Sequence, residues 1–257
     1  MCLVLIAWHV HPRYPLIVAA NRDEFYDRPT LHAYRWPGST GVVAGQDLEA
    51  GGSWMGVDNT GRFAAVTNFR ELEKGSAHVR TRGELVTGYL SGDTSAANYL
   101  AALSKRTDRY RGYNLLLHDN GELYCASNRG APIRRMASGV HGVSNGLLDS
   151  DWPKVKRGRQ LLTAAIESDE PDPVHLFELL RDRAKPADSA LPDTGIGIES
   201  ERLLGTIAID GTIDGRDYGT RSASLLLLDT GGRGRFIERS RSDDGGWQQN
   251  TFRIGTD

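Results

Sequence analysis

The sequence predicts an α+β layered architecture, with two stacked sheets and helices on their outer faces. Three observations lead there. About ten short strand-like segments recur, several joined by tight-turn signals such as Asp58-Asn59-Thr60-Gly61 and Asp119-Asn120-Gly121. Two separated stretches switch to helical spacing, one over residues 83–104 and one beginning at Asp151. Strand and helix never alternate as they would in a parallel sheet. The 257 residues contain no repeat, low-complexity tract or linker-like break, so one domain over 1–257 is expected.

The elements follow in order. An apolar run, Leu3-Val4-Leu5-Ile6-Ala7-Trp8, leads through a turn at Pro12 to Pro15 into a second run ending in Asn21-Arg22-Asp23-Glu24. Pairing 3–10 with 15–21 as a hairpin returns those four polar residues to the end where Cys2 sits. Residues 25–37 read as irregular, with Tyr26, Tyr34 and Trp36 packing down as a lid. Val42-Val43-Ala44-Gly45 follows, then Gly51-Gly52-Ser53-Trp54-Met55-Gly56-Val57. No G-x-x-x-x-G-K-[ST] pattern surrounds the glycine pair, which points to a pocket edge or a bulge and not to a phosphate loop. A strand is expected at 62–68. Leu85, Val86, Tyr89 and Leu90 share one helical side, and after Ser91-Gly92-Asp93 the pattern resumes in Ala97, Leu100 and Leu103.

Strands return at 113–118, 122–126 and 139–145. Asp151-Trp152-Pro153 opens a helix with Asp151 as N-cap and Pro in the first turn, and its apolar face holds Leu161, Leu162, Ala165 and Ile166. A second helix starts at Asp172-Pro173 and carries Phe177 and Leu180. Residues 184–202, rich in Pro, Asp, Ser and Gly, read as a surface loop, and strands at 205–210, 223–229, 235–239 and 246–252 complete the pattern.

Composition narrows the function. The chain is 39% hydrophobic and 25% charged, as ordinary globular proteins are. Its net charge of −2, with Lys and Arg spread along the chain, excludes a nucleic-acid partner held by a basic face. No segment approaches the roughly 18 apolar residues that span a bilayer. The first apolar run lacks the basic n-region and cleavage site of a signal peptide. Cys2 and Cys125 allow one disulfide, but two cysteines read more naturally as free thiols in a reducing compartment, so a cytoplasmic location is expected.

Chemistry gathers at strand ends. Cys2 stands behind Met1, and aminopeptidases remove an initiator methionine ahead of a small residue. The exposed residue would carry a thiol and an α-amine of pKa roughly 7.7–8.0, able to act as base for its own thiol. Arg22 and Asp23 close the second strand, Asn68 closes 62–68, Asn145 closes 139–145, and Arg221 opens a late strand in Tyr218-Gly219-Thr220-Arg221-Ser222. Asparagine amides suit an oxyanion, and an arginine beside a thiol favours thiolate. The bland alternatives are turn chemistry for the asparagines and a structural ion pair for Arg22 and Asp23. His9 and His11 flank Val10 and would share a face if the strand reached them, a pattern able to meet a metal or a haem iron. No third ligand type lies nearby, so a surface feature is expected and no cofactor is required. Trp8, Trp54 and Trp152 read as core or pocket-wall residues.

Asn21-Arg22-Asp23-Glu24 also carries a resemblance. With Met1-Cys2, Gly51-Gly52-Ser53-Trp54-Met55-Gly56, Val66-Thr67-Asn68 and Arg82-Gly83-Glu84-Leu85-Val86, the chain resembles the NRDE family, which includes transport-and-Golgi-organisation type two proteins. Gly112-Tyr113-Asn114-Leu115, Gly142-Val143-Ser144-Asn145, Asp151-Trp152, Tyr218-Gly219-Thr220-Arg221 and Glu238-Arg239-Ser240 extend the match over nearly the whole chain. That family is similar in turn to cysteine N-terminal-nucleophile hydrolases such as bile-salt hydrolases and penicillin V acylases. The resemblance implies an αββα sandwich with Cys2 as nucleophile, Asp23 holding the α-amine, Asn68 and Asn145 near the oxyanion, and Arg221 as the late arginine. One departure stands out: those acylases place an arginine three residues before the aspartate, where this chain has Ala20, with Arg22 adjacent instead.

Two functions are therefore expected to compete. One is an amidohydrolase or acyl-transfer protein acting on a C–N amide or thioester bond of a small molecule. The other is a non-catalytic carrier on the same fold for haem or an acyl-CoA or lipid ligand, in line with the family's links to haem trafficking and lipid homeostasis.

Overall fold

A computed structural model describes residues 2–38, 41–72, 80–130, 133–242 and 245–255; Met1, whose removal is expected above, lies outside them. Two seven-stranded antiparallel sheets are stacked face to face. The first contains β1 (Cys2–Trp8), β2 (Leu16–Phe25), β10 (Gly139–Val143), β11 (Asp210–Ile213), β12 (Arg216–Leu228), β13 (Gly234–Arg241) and β14 (Trp247–Ile254). Its order is β10-β1-β2-β12-β13-β14, with β11 paired to the start of β12. The second sheet runs in sequence order through β3 (Thr30–Arg35), β4 (Val43–Asp47), β5 (Met55–Val57), β6 (Phe63–Asn68), β7 (Tyr113–Asp119), β8 (Glu122–Ser127) and β9 (Arg134–Arg135).

The layering follows from strands that are apolar on both sides. In β1, Val4, Ile6 and Trp8 join Val43, Met55, Phe63 and Leu116 between the sheets. Leu3, Leu5 and Ala7 of the same strand face outward against Val155 and Leu162 of α3 (Pro153–Ala165) and Leu176 and Phe177 of α4 (Pro173–Leu180). On the far side, Ala64, Leu115 and Leu117 pack under Leu85, Val86 and Tyr89 of α1 (Gly83–Leu90) and Leu100 of α2 (Ala96–Leu103). Each fully buried leucine contributes roughly 1.5–3 kcal/mol relative to an exposed one, so three such layers account for most of the driving force. The expected αββα sandwich is present.

Local chemistry confirms several expected elements. Asn120 and Gly121 adopt φ of 47° and 71°, the left-handed pair that the β7–β8 hairpin turn requires. Asp58 Oδ1 accepts from the backbone of Thr60 and Arg62 and closes the β5–β6 turn. Asp172 caps α4 by accepting from Val174 N.

Other expectations are corrected. Residues 25–37 are not irregular throughout: β3 occupies Thr30–Arg35 as an edge strand with a register shift against β4. The residues from 205 to 209 form no strand; the strand starts at Asp210, and β12 begins at Arg216, well before the expected 223. The expected loop over 184–202 holds a 3-10 turn at Asp188–Ala190 and the start of α5 (Ile198–Leu204). Trp152, not Asp151, is the N-cap of α3, with no side-chain cap bond, and Asp151 pairs with Lys156 at the surface. Both cysteines are free thiols. The first strand ends at Trp8, and His9 turns into the left-handed region at φ 50°. His11 is buried, donating from Nε2 to Ser168 O and accepting at Nδ1 from the Tyr14 backbone, so the two histidines form no ligand pair.

Candidate active site around Cys2

The β1–β2 register sets Cys2 opposite Arg22 and Leu3 opposite Asn21. Directly opposed residues in an antiparallel pair share a face, and neighbours along a strand alternate. Cys2 and Arg22 therefore project to the same side, between the sheets, while Asn21 and Asp23 turn toward the helices. Arg22 thus stands across the strand from Cys2, on the face it shares with Ala20, where the departure was noted.

Cys2 lies on the wall of an open cleft of about 450 Å³, which is also lined by Arg22, Asp23, Asn68, Asp47, Trp54, Gly51 and Gly83. Arg28, Arg80, Arg82 and Arg111 line it too, so cations outnumber carboxylates. Gly51 and Gly52 have φ of 70° and 77°, and a Cβ on Gly52 would stand 2.5 Å from the Gly83 backbone. The glycine pair is thus a pocket edge, where the β4–β5 connection presses against the start of α1.

Arg22 is 5% exposed, with its guanidinium 4.4 Å from the Trp54 ring and Nη2 3.3 Å from Asp47 Oδ2. Its Nη1 is buried with no hydrogen-bond partner among the described residues. Asp47 also accepts from Arg28 Nε at 2.8 Å. Burial works to raise the Asp47 carboxyl, but Arg28, the Ala50 backbone N–H and Arg22 outweigh it and hold the carboxyl below the usual range.

The rear of the site is drier. Asp23 is fully buried; Oδ1 accepts from Thr220 Oγ1 at 2.7 Å, and its carbonyl accepts from Tyr218 Oη at 3.0 Å. Burial pushes its carboxyl up against the pull of Lys154 and Thr220. Lys154, on the first turn of α3, is 2% exposed, and its Nζ has no hydrogen-bond partner among the described residues. Burial drives its ammonium down to about 8, against the attraction of Asp23. Burial likewise raises the Cys2 thiol, with the Asp23 carboxylate adding to the rise and Arg22 opposing it.

The other expected residues divide. Asn68 lines the cleft, and its carbonyl accepts from Asn145 Nδ2 at 2.8 Å. Asn145 is fully buried and lines the adjoining cavity with Arg70, Arg82 and Arg111 instead of the Cys2 cleft. Arg221 sits at the β-bulge between Thr220 and Ser222, donating from Nη1 to Phe25 O at 3.3 Å and to Arg28 O. It clamps the turn that carries Arg28 and does not line the cleft. Trp54 is a cleft wall as expected, Trp8 is core, and Trp152 lies under the Arg70 guanidinium at 4.7 Å.

Sequence reasoning missed Lys154, Asp47, Thr220 and the rim arginines. Lys154 carried a usable signal, since it lies four and eight residues before Gly158 and Leu162 on the buried stripe of α3. Asp47 had none. Among the described residues no group of three or more His, Cys, Asp or Glu side chains could hold a metal, and no helix is long and apolar enough to cross a membrane.

Comparisons with known proteins bear on the family and the fold. The chain is 33% identical to the mouse Transport and Golgi organization 2 homolog and 34% identical to the human homolog, with 98% of each chain covered in both cases. Among solved structures it superposes on a mutant of the conjugated bile acid hydrolase of Clostridium perfringens with a TM-score of 0.56 at 11% identity, covering 99% of this chain and 92% of that one. A second variant of that hydrolase gives 0.52 at 11% identity, with 98% and 92% covered. The sandwich is therefore the N-terminal-nucleophile-hydrolase fold. A family profile described as Transport and Golgi organisation 2 matches residues 1–243, and the chain belongs to that family.

Proposed function

We propose that the protein is a cysteine N-terminal-nucleophile amidohydrolase or acyl-transfer protein acting on an amide or thioester of a small anionic molecule. The observation that carries this reading is the cross-strand pairing of Cys2 with buried Arg22 on the wall of a cleft, with Asp23 next in the chain. After removal of Met1, the α-amine of Cys2 takes the thiol proton as Sγ attacks the carbonyl carbon. The unpaired Nη1 of Arg22 and the Asn68 amide are the donors available to the oxyanion. The ammonium returns its proton to the leaving amine or thiolate, leaving an acyl thioester on Cys2 that water or another acceptor resolves. Asp23 holds the ammonium, and the rim arginines favour a substrate with a carboxylate or phosphate remote from the scissile bond.

A second reading is supported by one observation. Asn145 gives Nδ2 to the Asn68 carbonyl and stands outside the cleft, which suits stoichiometric binding of an anionic haem or acyl-type ligand without turnover. Intact-mass measurement after incubation with a panel of N-acyl amides and acyl thioesters separates the two. Chain lacking one methionine and carrying an acyl adduct on Cys2, absent in Cys2→Ala, is the expected outcome. Retained Met1 with no adduct, alongside saturable haemin binding and a shifted Soret band, favours the carrier.

A further inference from the structure

A second cavity, of about 550 Å³, opens on the helix-facing side of the first sheet, between α4 and the β13–β14 hairpin, and shares no lining residue with the Cys2 cleft. Its apolar wall is made by Phe177 and Leu180 of α4, with Trp247 exposed at the edge. Arg239 lies over the Phe177 ring at 4.1 Å and Arg241 over the Tyr26 ring at 4.4 Å. Stacking holds both guanidiniums in place, yet among the described residues no carboxylate stands within ion-pair distance of either. On the inner wall is Asn21, fully buried, with Nδ2 spent on the carbonyls of Leu180 and Ile207 at 2.8 and 3.0 Å. Its Oδ1 is buried without a partner among the described residues.

Apolar walls, two stacked guanidiniums with no carboxylate partner among the described residues (Arg239 Nε donates to Gln249 Oε1 at 2.9 Å) and a buried orphan acceptor are complementary to one kind of molecule. We propose that this cavity is a second binding site, separate from the Cys2 cleft, for an amphipathic organic anion. The carboxylate or sulfonate pairs with Arg239 and Arg241, a flat apolar body lies against Phe177 and Trp247, and a donor N–H or O–H meets Asn21 Oδ1. The site does not depend on turnover at Cys2. It does back onto that centre, since Thr220, another of its lining residues, donates to Asp23.

The test uses 8-anilinonaphthalene-1-sulfonate, which offers a sulfonate, an aromatic body and an N–H, titrated into the full chain. Saturable binding at one site is expected, with energy transfer that falls in Trp247→Phe and affinity unchanged in Cys2→Ala. The Arg239→Gln/Arg241→Gln double variant should bind at least roughly tenfold more weakly, as should N-phenyl-1-naphthylamine, the same body without the sulfonate, on the unaltered chain. Unsaturable binding, equal affinity for the neutral analogue, or unchanged transfer in Trp247→Phe overturns the proposal. The analogue and Trp247→Phe arms decide the matter even where the double variant folds poorly.

Discussion

Two charged clusters flank Cys2, and they contain similar groups in opposite circumstances. The front cluster, Arg22, Arg28, Asp47 and Glu24, opens on the cleft, and its charges meet each other: Asp47 is held below the ordinary carboxylate range by two arginines. The rear cluster, Asp23, Lys154, Arg70 and Glu201, is buried beside α3 and α5, where burial lowers Lys154 and raises Asp23. A charge beside water keeps its hydration and gains a partner, whereas a charge in the interior loses hydration first and needs a partner merely to break even. Proteins retain such rear clusters at some cost in stability, and functional centres are where the cost recurs.

The contrast predicts an ordered series of effects. The largest belongs to Glu201→Ala, which takes the carboxylate from Arg70: the pair is 2.5 Å apart with side chains 5% and 4% exposed, and losing one partner of a buried pair should remove about 3–5 kcal/mol in urea unfolding. A loss under 1 kcal/mol would mean that the rear is wetter than its burial implies. Lys154 supplies the next. Its folded-state value of about 8 lies below the unfolded 10.5, so the buried charge costs about 3 kcal/mol below pH 8. That cost lifts as pH rises from 8 to 10.5, because the unfolded chain then holds the extra proton. Stability of the parent relative to Lys154→Met should accordingly climb across that window, and a flat difference in paired thermal melts would remove the desolvation argument.

At the front, Asp47→Ala removes a carboxylate from both Arg22 and Arg28, but Arg28 keeps Glu49 at 3.1 Å and both Asp47 and Arg28 are partly exposed, so the loss should be about 1 kcal/mol. Reaction of Cys2 with iodoacetamide would change more than stability there, because Arg22 loses the carboxylate that holds it over Trp54. The smallest effect is expected from Asp151→Ala. Its ion pair with Lys156 is 92% exposed on the aspartate side and no cap bond exists, so the change should stay below about 0.5 kcal/mol. A cost near 1 kcal/mol would restore Asp151 as the N-cap.

Legibility in the sequence divides along the same line. The N-terminal hairpin was readable because both its strands are short, apolar and adjacent in the chain, which returns residues 21–24 to the Cys2 end; that Arg22 stands directly opposite Cys2 is shown by the structure. The helix pair at 83–103 was readable from its period. β3 was not, since an edge strand buries only part of one face, and Thr30 to Arg35 shows a polar, broken pattern. α5 was hidden by the Pro, Asp and Gly around it; packing of Leu204 with Ile209 and Tyr218, and the Glu201–Arg70 pair, hold a helix that its own seven residues would not sustain. Asn145 was read as closing a strand over 139–145, but β10 ends at Val143 and Asn145 lies just beyond it; its bond to the Asn68 carbonyl was not readable, because it joins β6 of one sheet to a segment following a strand of the other.

The sequence alone determined the N-terminal hairpin that brings residues 21–24 to the Cys2 end, the helix pair at 83–103 and the layered fold class, because these rest on period and neighbour. Only the tertiary structure decided that Asp47 and Trp54 hold Arg22, that Lys154 is buried behind Asp23, that Arg221 clamps a turn, and that a second cavity lies under α4. Those facts depend on which distant segments meet and on how much water they exclude, and neither quantity is carried by any local stretch of chain.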